Sequence, residues 1–240
     1  MSTAPPSEEN KADKKEDIKV EILNENERKY DLSFKVILIG NQGVGKSCLT
    51  IASNNPIQNE YLPTIGFEYF TFNVKINEKI IKLQIWDTCG QELYRSLVVN
   101  FYRNTSVGVI VYSIDDKNSF ENVILWLKDL KLNSNNIDIR TILVGNKSDL
   151  EENRQVSKEE GLKLKNDFEF DLFMETSAKT GFNVKKIFIE AAKILYLDYV
   201  DYKKKNILNV AYVDYRDSTI KGEKLKNDIL KNPIKRNKCC

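Results

Sequence analysis

Residues 40–47 read Gly-Asn-Gln-Gly-Val-Gly-Lys-Ser and fit the pattern GxxxxGK[ST]. Glycines let the backbone curl so that consecutive N–H groups face one phosphate. Lys46 would add a charge for the β- and γ-phosphates, and Ser47 an oxygen for Mg²⁺. The alternative, a glycine-rich turn with a chance Lys-Ser pair, is disfavoured by the apolar run directly before it. We therefore expect a phosphate-binding loop formed by Gly40, Asn41, Gln42, Gly43, Val44, Gly45, Lys46 and Ser47.

A second polar group, Asp87-Thr88-Cys89-Gly90-Gln91, follows the apolar run Ile80–Trp86. Asp87, at the end of that strand, can hold the Mg²⁺ shell, usually through water. Gly90 can turn its N–H toward a γ-phosphate, and Gln91 can orient the attacking water. An Asp and a Gln in a turn would be unremarkable alone, but together with a phosphate-binding loop they indicate nucleotide hydrolysis.

A third polar group, Asn146-Lys147-Ser148-Asp149, follows another apolar strand. The Asp149 carboxylate can accept hydrogen bonds from N1–H and the 2-amino group of guanine, a donor pair that adenine lacks. The stem of Lys147 can lie over the base, and Asn146 can join neighbouring loops. The segment 175–179, Glu-Thr-Ser-Ala-Lys, would place the N–H of Ala178 for the guanine O6. These residues predict a preference for guanine.

Strands and helices alternate in a pattern that would bring these groups to one edge of a sheet. Apolar runs rich in Val, Ile and aromatics predict strands at Phe34–Ile39, Phe67–Ile76, Ile80–Trp86, Val107–Ser113, Ile139–Gly145 and Asp171–Thr176. Helical spacings of three and four lie between them, with a capping box at residues 157–160 and an amphipathic stripe from Val184 to Leu195. We expect an α/β fold with six strands, mostly parallel, and helices on both faces. A hairpin turning at Asn77-Glu78 would supply one antiparallel edge strand.

Composition excludes several classes of function. The 240 residues are 41% hydrophobic and contain no histidine, which removes Ser-His-Asp and Cys-His nucleophiles and carboxylate-His zinc sites. A net charge of only +2 argues against a nucleic-acid binder held by a global basic field. Two cysteines, Cys48 and Cys89, are isolated, and the other two end the chain, so no disulfide framework is predicted. We expect a cytoplasmic protein, since the N-terminus is not signal-like and no apolar run reaches membrane-spanning length.

Charge divides the chain into three parts. Residues 1–32 hold six Lys/Arg and nine Asp/Glu, which predicts a flexible acidic extension. Residues 33–202 carry the strands, helices and motifs, and we expect them to form one domain. Residues 203–240 hold eleven Lys/Arg and four Asp/Glu, so that this basic tail carries +7.

The order of the motifs, with Thr64 between the first two, closely resembles the Ras-like small GTPases and, within them, the Rab family. The resemblance covers about Phe34 to Tyr199 and implies the G domain of P-loop NTPases. Residues 82–88, KLQIWDT, are similar to Rab sequences almost letter for letter. Residues 64–69, 93–97 and 101–104 resemble further Rab segments.

The resemblance implies a role for each matched residue. Catalytic roles would belong to Gln91, Thr64, Gly90 and Lys46. Mg²⁺ would be held by Ser47 and Thr64, and by Asp87 through water. Further nucleotide contacts would come from Cys48, Tyr61, Thr64, Gly90, Asn146, Lys147, Asp149, Ser177, Ala178 and Lys179. Effectors would read an aromatic patch of Tyr69, Trp86 and Phe101, for which the plainer alternative is a set of core aromatics.

A Rab-type GTPase is expected to hydrolyse GTP slowly, on the order of 10⁻⁴ per second unaided, and up to roughly 10⁵-fold faster with a GTPase-activating protein. Switch segments 58–66 and 90–99 would be ordered by the γ-phosphate and relax after hydrolysis. Partners implied by the resemblance are an exchange factor, a GTPase-activating protein, a GDP-dissociation inhibitor, a prenylation escort protein and effectors of vesicle trafficking. We expect a monomer that does not bind nucleic acid.

Three residues depart from the family pattern. Cys89 stands where the family usually has Ala, and we expect it to be tolerated. Gln42 stands where many Ras-type proteins have Gly, which predicts slow intrinsic hydrolysis. Ile57 stands where the family usually has a Phe packed against guanine. Because the segment between Ser47 and Thr64 is also one residue short, we expect faster spontaneous release of GDP than in typical Rabs.

The chain ends in Lys238-Cys239-Cys240, which resembles the Rab signal for two geranylgeranyl groups. Two lipid chains matter because one gives only marginal membrane binding. The basic tail before them favours an anionic leaflet by up to about 1 kcal/mol per nearby charge. The resemblance therefore implies a lipid-anchored protein on the cytosolic face of an intracellular membrane.

Two other functions stay open from the residues alone. A nucleotide-stabilised scaffold with negligible turnover would differ in single-turnover hydrolysis. A P-loop phosphotransferase for a small substrate would leave residues 146–149 and 177–179 without a purpose, and a comparison of guanine with adenine binding separates it from a GTPase. Ran-like and Rho-like identities fit the C-terminus poorly.

Overall fold

The computed structural model describes residues 18–24, 27–54, 67–88, 101–136 and 138–205. Within these ranges lies one seven-stranded sheet in the order β1-β3-β4-β2-β5-β6-β7. Its strands are β1 (Val20–Ile22), β2 (Leu32–Ile39), β3 (Phe67–Ile76), β4 (Lys79–Thr88), β5 (Val107–Ser113), β6 (Arg140–Asn146) and β7 (Leu172–Glu175). The pairs from β4 through β2 and β5 to β7 are parallel, and β3 is antiparallel to β4. The predicted, mostly parallel sheet is confirmed.

The sheet has seven strands where the sequence predicts six, because β1 adds to the outer side of β3. The two strands are antiparallel, with Val20 opposite Ile76 and Ile22 opposite Val74. β3 is the antiparallel strand that the sequence predicts at this side of the sheet, and the added β1 makes it second from the edge. Ile18, Val20 and Ile22 alternate with Lys19 and Glu21, but this strand signal is short and lies in a charge-rich segment, so that no strand is predicted there.

β1 and the first residue of β2 lie within residues 1–32, so that this part of the acidic segment belongs to the fold. The N–H of Leu23 donates to the carbonyl of Asn73 at 2.9 Å, and the N–H of Asn77 donates to the carbonyl of Lys19 at 2.9 Å. Ile18 and Val20 pack against the core beneath. The hairpin turn falls where the sequence predicts it, with Asn77 in the left-handed region at φ 52°.

Helices cover both faces of the sheet, as predicted. The helices are α1 (Lys46–Asn54), α2 (Lys117–Glu121), α3 (Val123–Asn133), α4 (Lys158–Asp167) and α5 (Val184–Lys205). Alternating residues of β2 lie on opposite faces of the sheet. Val36 and Leu38 pack in the core under α1 and α5, and Ile37 and Ile39 pack in the core under α2, α3 and α4. The predicted stripe of α5 is buried at Val184, Ile187, Phe188, Ala191, Ala192 and Leu195.

The start of α4 has the predicted capping box. The N–H of Glu160 donates to Oγ of Ser157 at 3.1 Å, and the N–H of Ser157 donates to Oε2 of Glu160 at 2.8 Å. The ammonium group of Lys117, 2.5 Å from this carboxylate, and the bond from Ser157 lower the pKa of Glu160 to about 2. In the described ranges, no helix combines the length and apolar character needed to cross a membrane.

The added strand leads to a stability prediction. Leu23→Pro removes the N–H that donates to Asn73, whereas Leu23→Ala removes side-chain atoms and keeps this hydrogen bond. We expect the proline variant to be less stable than the alanine variant by about 1 kcal/mol, which is roughly 2–4 °C in melting temperature for a domain of this size. Thermal unfolding followed by circular dichroism measures the difference. Equal melting temperatures would show that β1 contributes no backbone pairing energy.

Candidate nucleotide-binding site

The predicted phosphate loop connects the end of β2 at Ile39 to the start of α1 at Lys46. Gly40 has φ 142°, and a Cβ at this position would lie 2.1 Å from the carbonyl oxygen of Val111. Only glycine allows the loop to pass this close to β5. β2 lies between β4 and β5. After β2, the chain forms β3 and β4 on one side of this strand and then crosses to β5 on its other side. Ligands of open α/β sheets bind at such a reversal.

Lys46 lies inside the curve of this loop. Its side chain is only 5% exposed, and Nζ donates to the carbonyls of Gly40 and Asn41, both at 2.9 Å. α1 begins at the same residue, so the positive end of its dipole lies at the loop. Gln42 and Gly43 are exposed at the turn, and a Cβ on Gly43 would have no atom within 4 Å. The loop combines a buried ammonium group, a helix N-terminus and an open cradle, which is a favourable site for a phosphate.

Asn146 joins three loops, as the sequence predicts. The residue is buried, and its Nδ2 donates to the carbonyl of Val44 at 2.8 Å. Its Oδ1 accepts from Oγ1 of Thr176 at 3.1 Å and from the N–H of Ala178 at 3.2 Å. Since β2, β6 and β7 are parallel, their carboxyl ends meet at one edge, and this amide holds the loops there in a fixed relation.

The residues predicted to bind guanine lie together beyond Asn146. Oγ of Ser177 donates to Oδ1 of Asp149 at 2.5 Å, and Nζ of Lys179 lies 4.0 Å from Oδ2. Lys147 has φ 64°, and its Nζ lies 3.5 Å from the Asp115 carboxylate. The structure thus brings the 146–149 and 177–179 segments to one corner. The Asp149 carboxylate at this corner is only 15% exposed.

Asp87 and Ser47 form the part of the site that could hold Mg²⁺. Oγ of Ser47 donates to Oδ2 of Asp87, which is fully buried at the end of β4. Among the described residues, Oδ1 of Asp87 has no hydrogen-bond partner. Burial raises the pKa of Asp87 to about 6, against the opposing effects of the Ser47 hydrogen bond and the Lys46 charge. A buried carboxylate oxygen without a partner beside a hydroxyl fits a hard cation, which prefers oxygen ligands.

The three predicted aromatic residues form one cluster. Ring centroids of Trp86 lie 5.6 Å from Tyr69 and 5.7 Å from Phe101, and Tyr69 is 46% exposed. Phe67 is a fourth member that the sequence analysis missed: its ring lies 4.4 Å from Phe101 and is 45% exposed. The signal was available, because alternate residues of a strand share a face and Phe67 precedes Tyr69 by two. Nζ of Lys35 lies 4.8 Å over the Trp86 ring.

The remaining predicted residues divide into two groups. Cys48 is half-buried on α1, where burial raises the pKa of its thiol. The others lie outside the described residues: Ile57, Tyr61, Thr64, Cys89, Gly90, Gln91, Cys239 and Cys240. Their roles therefore stay predictions.

The loop around Lys46, the carboxylate at the end of β4 and the corner at Asp149 together define a P-loop nucleotide-binding protein. A family model described as Ras family matches residues 35–197. The chain is 40% identical to Ras-related protein Rab-13 of Canis lupus familiaris over 169 residues, which are 70% of this chain and 82% of that protein. It is 41% identical to Ras-related protein Rab-8 of Diplobatis ommata over 165 residues, 68% of this chain and 78% of that protein.

The chain belongs to the Ras family of small GTPases and, within it, to the Rab branch. Proteins of this family bind GTP, GDP and Mg²⁺ and hydrolyse GTP. The predicted family, fold class and enzyme type are therefore confirmed.

Two glycines of the loop provide a matched test of its packing. Both have positive φ, 94° at Gly45 and 77° at Gly43, but only a Cβ at Gly45 would meet another residue, 2.4 Å from Nδ2 of Asn146. Alanine costs about 1–2 kcal/mol at either position for its backbone conformation. Gly45→Ala must also displace the Asn146 amide, so we expect a further loss of at least about 2 kcal/mol. Urea unfolding of both variants measures this, and equal losses would contradict the described contact.

Proposed function

We propose that the protein is a membrane-anchored Rab-type switch, which binds and hydrolyses GTP and recruits effectors in vesicle trafficking. The observation that carries the proposal is the convergence of Lys46, Asp87 and Asp149 at one edge of the sheet, where Asn146 links the loops after β2, β6 and β7 and Ser47 donates to Asp87. A phosphate-binding element and a guanine-selective corner at a fixed separation fit a guanine nucleotide better than any smaller phosphate compound.

In the proposed function, each described residue has a role in binding or orientation. Lys46 exchanges the carbonyls of Gly40 and Asn41 for phosphate oxygens, which are charged acceptors and bind an ammonium group more strongly. Asp149 would accept two hydrogen bonds from the guanine edge, and the N–H of Ala178 would exchange Oδ1 of Asn146 for the guanine O6. Ser47 and Asp87 would hold Mg²⁺, which supplies charge neutralisation for the β- and γ-phosphates when bound.

Three residues outside the described ranges complete the proposed catalytic set. Gln91 would orient the attacking water, and Gly90 and Thr64 would contact the γ-phosphate through N–H groups and a hydroxyl. Since phosphoryl transfer needs mainly positioning and charge stabilisation, no nucleophilic side chain is required. This agrees with a chain that has no histidine.

The aromatic cluster of Phe67, Tyr69, Trp86 and Phe101 is the proposed effector surface. The rings of Phe67 and Tyr69 are nearly half exposed. Phe67, Tyr69 and Trp86 lie on β3 and β4, which follow the first proposed switch segment in the sequence and precede the second, and Phe101 follows the second. Exposed aromatic rings are a common anchor of protein interfaces. A partner that binds there would sense the conformation of both segments.

The proposed membrane anchor is the segment 203–240, which follows the 33–202 domain and ends in Cys239-Cys240. Support comes from its charge of +7 beside two terminal cysteines and from similarity to Rab proteins. Geranylgeranyl groups on both cysteines would anchor the protein at the cytosolic face of an intracellular membrane. An escort protein, a GDP-dissociation inhibitor, an exchange factor and a GTPase-activating protein are the proposed regulators.

Nucleotide binding tests the proposed site. We expect the wild-type protein to prefer GTP to ATP by at least about a thousandfold, because a site that pairs with the guanine edge leaves its polar groups unpaired against adenine. Asp149→Ala should remove most of this preference while Lys46 still binds phosphates. Equilibrium binding of fluorescent GTP and ATP analogues measures both proteins. Equal affinity for the two nucleotides in the wild type would favour the phosphotransferase, and absence of phosphate release in a single turnover would favour the scaffold.

Localisation tests the proposed anchor. We expect the tagged wild-type chain to sediment with membranes in a eukaryotic host, and the Cys239→Ser/Cys240→Ser double variant to stay in the supernatant, since both lipid chains are lost. Each single variant should give intermediate, reversible binding. Intact-mass analysis provides the control, and an unmodified C-terminus in the wild type would contradict the proposal.

A further inference from the structure

A buried side-chain hydrogen bond connects α3 to the phosphate loop. Trp126 lies on α3 and is 2% exposed, and its Nε1 donates to Oδ1 of Asn41 at 2.8 Å. Asn41 is itself 6% exposed. The distance is ideal for such a bond, and the site is shielded from water. α3 therefore contacts the loop from the face of the sheet opposite α1.

The same asparagine is connected to Lys46. Its backbone carbonyl accepts from Nζ of Lys46 at 2.9 Å, while its side chain accepts from Trp126. Gln42 and Gly43 follow as the exposed turn, and the next residue, Val44, is held by Asn146. Hydrogen bonds from buried side chains thus bound the exposed turn on both sides, two at Asn41 and one at Val44.

We propose that Trp126 is a positioning residue for the nucleotide, and that its N–H slows nucleotide release by holding Asn41 in the curved loop. The inference rests on the proposed function, since it concerns the same site. Removal of this donor leaves the amide oxygen of Asn41 buried without that partner, which favours loop conformations that expose it to water. Those conformations no longer direct the loop N–H groups at one phosphate, so that bound nucleotide is lost sooner.

The test is the rate at which fluorescent GDP leaves the Mg²⁺-loaded protein. Trp126→Phe keeps most of the ring volume and removes the N–H, and we expect release to be about tenfold faster. Asn41→Ala removes the acceptor of the same bond and should also accelerate release. Because both changes break one interaction, the double variant should be no faster than the faster single variant. If the acceleration of GDP release in the double variant equals the product of the two single accelerations, the proposal is wrong.

Leu130→Ala is the matched control for mere packing. Leu130 lies one turn further along α3 and is fully buried in the same core as Trp126. Its truncation leaves a cavity and should lower the melting temperature while GDP release stays at the wild-type rate. If Leu130→Ala accelerates release as much as Trp126→Phe, Trp126 acts through packing and the proposal is wrong.

The outcomes also separate this inference from the proposed function. A wild-type protein that binds no guanine nucleotide would contradict the proposed function itself. A wild type that binds GDP, with Trp126→Phe and Asn41→Ala both releasing it at the wild-type rate, would contradict only the positioning role. If Trp126→Phe does not fold, wild-type release from Asn41→Ala alone overturns the inference, and faster release supports it.

Discussion

The side-chain amide of Asn146 is the contact on which the nucleotide-binding edge depends. It is buried at the end of β6, and its hydrogen bonds reach the loop after β2 through Val44 and the loop after β7 through Thr176 and Ala178. The space that this amide occupies also requires Gly45 to have no Cβ. Two motifs about 100 residues apart in the chain are therefore constrained by one another.

Much of the fold could be predicted because its central strands are buried on both faces. Such strands are continuous apolar runs, and the predicted limits of Val107–Ser113 agree with β5, which is buried throughout. The predicted limits of Phe67–Ile76 also agree with β3, which is partly exposed and is recognised by its aromatic and β-branched residues. Local signals also located the turn at Asn77 and the cap at Ser157. β1 was not predicted, because the alternation of Val20, Glu21 and Ile22 is too short to outweigh the charge-rich composition around it.

The candidate site could likewise be predicted only in part. Motif spacing located Lys46, Asp87 and Asn146 because the carboxyl ends of parallel strands meet at one edge. The bond between Trp126 and Asn41 could not be predicted, since its partners are 85 residues apart and a tryptophan on an apolar helix face indicates only a core position. The burial of Asp87 likewise could not be predicted from the sequence, although this burial raises the pKa of its carboxyl.

The first described residues of the chain and the middle of α5 meet at Asn77. Asn77 accepts from the N–H of Lys19 at 3.0 Å and donates from Nδ2 to the hydroxyl of Tyr196 at 3.3 Å. Tyr196 is twelve residues into α5, about 18 Å from the helix start near Ala178. A bulky fusion partner attached directly before Ile18 would therefore start beside α5, at the edge of the sheet opposite the phosphate loop.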